Sequence, residues 1–135
     1  METIKEMSME NTTKGKIKAV NETLKKGEAN KNYSEDHKGY SGYTPQSVLD
    51  AVNGEFLGDW NIEVLEHKTY PLGEKIHAFT KVKVTLSGVS MEAFASHPIQ
   101  TDPGDAFKSA QTDAMKKAFA HFSIGRRAYH GLIGK

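Results

Sequence analysis

A chain of 135 residues suits one domain plus a tail, and it can bury a core of modest size. Its 18 Lys and Arg against 17 Asp and Glu leave a net charge of +1, so any nucleic-acid site must be a local patch. It has no cysteine, which excludes disulfides, thiolate zinc sites and cysteine nucleophiles.

No apolar run approaches the ~18 residues of a membrane span. The opening METIKEMSMENTTKGK lacks the apolar centre of a secretion signal. A cytoplasmic protein is therefore the expectation.

In chain order, residues 1–39 read as a polar arm, partly disordered or ordered by a neighbouring subunit, with the first dozen residues mobile. A short helix is expected from Lys16 to Lys26, striped by Ile17, Val20 and Leu24 and ended by Gly27. Asn30 to Gly42 is turn-rich and reads as a linker. Residues 40–135 form the expected domain.

Thr44 and Pro45 start a helix whose stripe is Val48, Leu49, Val52 and Phe56, and Gly54 and Gly58 loosen its end. Trp60, Ile62 and Val64 alternate in a strand, and Pro71 to Glu74 reads as a turn. Ile76 to Leu86 is the clearest strand. Ile76, Ala78, Thr80, Val82, Val84 and Leu86 share one face; His77, Phe79, Lys81, Lys83 and Thr85 share the other. Ser87-Gly88 connects it to a third strand, Val89 to Ser96.

The last helix is expected over Thr101–Arg127. Asp102 is a good N-cap, Pro103 fits the first turn, Asp105 adds a carboxylate there, and Gly125 fits the position past its end. Its apolar face holds Ala106, Phe107, Ala110, Ala114, Met115, Ala118, Phe119 and Phe122. The opposite face carries Ser109, Thr112, Asp113, Lys116 and Ala120, with Lys117 at the border. Small residues beside a lysine let another backbone come close, although a plain solvated face has the same composition.

Helix, three antiparallel strands and helix make an α+β domain, with helices on one face of the sheet. The expected core is Val48, Leu49, Val52, Trp60, Ile62, Val82, Val84, Phe107, Ala114, Ala118 and Phe122. Each large side chain contributes roughly 1.5–3 kcal/mol when buried.

No phosphate-cradling G-x-x-x-x-G-K-[ST], no G-x-S-x-G and no helical His pair with an intervening Glu occurs. The six histidines are scattered. Asp102, Asp105 and Asp113 form a conceivable magnesium cluster, but capping explains two of them. A binding protein without cofactor or metal is favoured over an enzyme. Its basic residues are Lys81 and Lys83 on the sheet, and Lys116, Lys117, Arg126 and Arg127 on and after the last helix. If sheet edge and helix border one groove, these charges line a channel for single-stranded nucleic acid, with Tyr129 and Phe79 available for base stacking.

The run GYTPQSVLDAVNGEFLGDW, three strands, and DAFKSAQTDAMKKAFAHFSIGRRAYHGL resemble the annealing domain of the Rad fifty-two superfamily over roughly residues 40–132. The last helix carries the most telling motif, and its extension through Arg126, Arg127 and Tyr129 is most similar to the DNA damage response protein A (DdrA) type. The resemblance implies ATP-independent annealing of complementary single strands in homologous recombination and DNA repair, by a ring or arc of identical subunits. Lys116 matches the family's groove lysine, and Lys117 the basic residue after it. A groove arginine of some members aligns near Ser47, and a further basic residue is Ala120 here, so Lys81, Lys83 and the arginine pair are expected to carry more of the load. The implied partners are single-stranded DNA, further copies of the chain, and a recombinase or single-strand binding protein. Larger relatives recruit the latter through a tail, which is not expected here.

Two rival readings have distinct signatures. A double-stranded RNA-binding domain shares the element order but places lysines where this helix has Asp-Pro-Gly-Asp. A metal-dependent nuclease acting on DNA ends would shorten a labelled strand in magnesium.

Overall fold

The computed structural model describes residues 2–36 and 38–135, with side chains from Thr13 onward. Met1, His37 and the side chains of 2–12 lie outside that description, and so does the expectation of a mobile first dozen. Two compact units are present: residues 1–58 with 123–135, and residues 59–122. The expected boundary near residue 39 falls inside the first unit.

The first unit opens with α1 (Glu2–Gly27), longer than the expected Lys16–Lys26 helix. Val20 and Leu24 of the expected stripe are buried, and α1 packs on α2 (Pro45–Phe56). The arm thus contributes to a core within the chain. In α2, Thr44 caps the start by accepting from the Ser47 amide at 3.3 Å. Val48, Val52 and Phe56 are buried, while Leu49 is only half-buried.

The expected linker contains a hairpin, β1 (Tyr33–Glu35) and β2 (Ser41–Tyr43), with Tyr33 opposite Tyr43. Asp36 closes it: its Oδ1 accepts from the amides of Lys38 at 2.8 Å and Tyr40 at 3.0 Å.

The second unit is a three-stranded antiparallel sheet packed against a C-terminal helix, an α+β arrangement. The strands β3 (Trp60–Leu72), β4 (Lys75–Leu86) and β5 (Val89–Pro98) lie in the order β3-β4-β5. On β4, Ala78, Thr80, Val82, Val84 and Leu86 are fully buried, as their alternation requires; Ile76, expected on that face, is exposed near the strand's start. Strand β3 runs through Pro71, which an edge strand tolerates because the missing N–H faces away from the ladder. The turn therefore shrinks to Gly73-Glu74, with Leu72 opposite Lys75. Ser87 and Gly88 both take positive φ, which matches the right-handed twist of the β4–β5 hairpin.

Helix α3 (Pro103–His121) covers the inner sheet face, contacting β4 and β5. Asp102 accepts from the Gly104 amide at 2.9 Å and caps it. Ala106, Ala110, Ala114, Met115, Ala118 and Phe119 are buried. Trp60, Ile62 and Phe107, expected in the core, are half-buried. Trp60 meets the Phe119 ring at 5.9 Å and Phe107 meets the His67 ring at 5.1 Å.

The last helix ends earlier than Arg127. Phe122 is its C-cap, Ser123 has φ 65°, and Gly125, at φ 79°, starts a separate short α4 (Arg126–Tyr129). Asn21 of α1 fixes this break: its Nδ2 donates to the Ser123 carbonyl and its Oδ1 accepts from the Gly125 amide, both at 2.9 Å. Among the described residues no helix is long and apolar enough to cross a membrane.

Candidate nucleic-acid interface

Because residues alternate along β4, burying Ala78 to Leu86 puts His77, Phe79, Lys81, Lys83 and Thr85 on the outer face. Register then sets their neighbours. Lys83 lies between Glu63 of β3 and Glu92 of β5, and Lys81 between Glu66 and Phe94. Lys81 pairs with Glu92 at 3.2 Å and Lys68 with Glu66 at 3.0 Å. Three lysines thus alternate with three glutamates, and the lane expected to follow a phosphate backbone is charge-compensated. Cross-strand pairing of opposite charges stabilises the sheet, and it removes the net field a polyanion needs.

The same face carries an aromatic cluster instead. Phe94 stacks on Phe79 at 5.5 Å, the Lys68 ammonium lies 4.9 Å from the Phe79 ring centre, and Tyr70 stacks on His77 at 5.5 Å. Phe94 is 60% exposed, so part of its ring is accessible to a ligand. Phe79 was recognisable as a stacking candidate; Phe94 and Lys68 were not. The available signal was a large apolar side chain on the polar face of β5, next to Glu92.

Lys116 and Lys117 belong to α3, on the other side of the sheet from Lys81 and Lys83. The sheet and helix therefore do not gather all four lysines into one groove. Lys116 is half-buried beside the short side chains of Thr112 and Ala120, one turn away on either side, and it makes no ion pair among the described residues. Lys117 is exposed, and its Nζ donates to the Phe94 carbonyl at 3.4 Å. This contact joins the helix lysines to the edge strand that carries the open aromatic ring.

Arg126, Arg127 and Tyr129 lie in α4 of the first unit. Arg126 and Tyr129 are exposed. Arg127 is committed elsewhere: Nε donates to Glu28 Oε2 at 2.7 Å, and a terminal nitrogen to Glu28 Oε1 at 3.0 Å and the Leu132 carbonyl at 2.8 Å. Glu28 also accepts from the Tyr43 hydroxyl at 2.6 Å and the Gly134 amide at 2.9 Å. The Arg127 hydrogen bonds hold the Glu28 pKa at about 2, against an ordinary 4.5, outweighing the opposite push of burial. Burial, then the bond to Glu28, raises the Tyr43 pKa. Arg127 is thus tied into the fold, and Glu28 balances its charge.

Asp102, Asp105 and Asp113 form no metal cluster. Asp102 caps α3, Asp113 bonds to His97, and among the described residues no three His, Asp or Glu side chains converge on one point. A scan of protein-family models and a search of curated proteins each return no match to the chain.

Proposed function

We propose that the protein binds single-stranded DNA and anneals complementary strands without ATP, working as a ring or arc of identical subunits. The observation that carries this reading is the bond from Lys117 to the Phe94 carbonyl, which brings a cation of α3 to the edge strand whose outer face carries an exposed aromatic ring. Cations for phosphates beside a ring for a base are the two elements of sequence-tolerant single-strand binding. Lys116 and Lys117 hold the sugar-phosphate chain, Phe94 takes an unpaired base, and neighbouring bases stay free to find their complements.

Assembly has its own support. Among the described residues, β3 and β5 each pair with one strand only, and an edge strand is a template for pairing with another chain. Leu72 of β3 and Val89 of β5 are exposed along these strands. A few cations per subunit repeated around a ring also sum to a strong field, despite a net charge of +1 per chain. The test is an annealing assay on labelled complementary oligonucleotides without nucleotide, run beside a mass measurement. Acceleration by a multimer supports the reading. Magnesium-dependent shortening of the strand points to a nuclease, and preference for double-stranded RNA to that rival.

A further inference from the structure

We propose a second phosphodiester-binding surface on α1, formed by Lys14, Lys18 and Lys25 with Arg126. It is separate from Lys116 and Lys117 and does not depend on the annealing reading. The three lysines recur at intervals of four and seven residues, which keeps them within an arc of about 40° on one helix face. They form a straight row about 16 Å long. Asn21 lies on the same line, and its bonds to Ser123 and Gly125 hold the start of α4 against the row, so that Arg126 flanks it. All these residues line one groove, floored in part by Ile17.

The charge balance there is one-sided. Among the described side chains that line the groove, Lys18, Lys25 and Arg126 face one carboxylate, Glu22. Arg127, which also lines it, is neutralised by Glu28. Lys18, Lys25 and Arg126 are exposed and make no ion pair among the described residues. A row of this length exceeds the span of one phosphate and suits several successive phosphates of a nucleic-acid strand. A membrane surface is a poorer match: among the described side chains of α1, from Thr13 onward, no large apolar one is exposed beside the row.

The test is a titration with labelled oligodeoxythymidine at several salt concentrations. The variants are Lys14→Ala/Lys18→Ala/Lys25→Ala/Arg126→Ala and the same lysines replaced by Arg. Alanine favours a helix, so α1 is expected to persist, with circular dichroism as the check. The alanine variant should bind about tenfold more weakly, with a log–log salt slope shallower by about 2 to 3, and the arginine variant should bind like wild type. Unchanged affinity and slope in the alanine variant overturns the proposal, as does binding of phosphatidylserine vesicles in place of the oligonucleotide. The same titration on Lys116→Ala/Lys117→Ala separates the two sites. Loss only with the α1 variant keeps this surface and removes the α3 site; loss only with the α3 variant does the reverse. No binding by wild type removes both.

Discussion

Arg127 grips Glu28 through two N–H donors, at 2.7 and 3.0 Å, across 99 residues of sequence. The pair ties the C-terminal segment to the end of α1. The Tyr43 hydroxyl and the Gly134 amide complete the carboxylate's hydrogen bonds. Glu28→Gln should lower the thermal midpoint by roughly 5 °C or more, because it leaves Arg127 without its counter-charge. Arg127→Ala should shift the midpoint the same way while leaving the salt slope of DNA binding unchanged. Thermal melts and binding titrations on the same preparations check both outcomes.

The same carboxylate predicts acid sensitivity. Its folded pKa, about 2, lies below the ordinary 4.5. A depressed value means a contribution that is complete above about pH 4.5 and is lost as pH falls toward 2. Urea midpoints should therefore drop between pH 5 and pH 3 in wild type, and drop less in Glu28→Gln. Equal losses in both would show that other carboxylates dominate the acid transition.

Much of the second unit was legible locally. Alternation from Ala78 to Leu86 named both sheet faces, and Asp102 marked the start of α3 because a cap acts within one turn. The outer-face charges were legible only one strand at a time. Lys83 reads as part of a basic lane until register sets Glu63 and Glu92 beside it, and that register depends on an irregularity between Val64 and Glu66. The end of α3 was misplaced for a similar reason. The break at Ser123–Gly125 is held by Asn21, more than a hundred residues earlier, and no local signal announces such a clamp. Arg127 looked like a dipole-end cation for want of the same long-range information.

Charge compensation on the sheet gives a prediction that runs against a simple count of lysines. Lys81→Ala removes a cation already paired with Glu92. Its effect on the salt slope of DNA binding should be close to zero. A slope shallower by about 0.7, the value for one lost phosphate contact, would mean that the pair opens to meet the strand.

The exposed ring of Phe94 should act independently of salt. Phe94→Ala is expected to weaken single-strand binding by roughly 1–3 kcal/mol, the range for one lost base stack, with an unchanged slope. Phe94→Trp should retain binding. Fluorescence titrations at two salt concentrations separate this stacking loss from a charge loss.

The most direct test of the central claim is the annealing rate of Lys116→Ala/Lys117→Ala, measured without nucleotide on protein shown by light scattering to assemble like wild type. The account predicts slow annealing and weakened single-strand binding by an intact assembly. Annealing at the wild-type rate would contradict it.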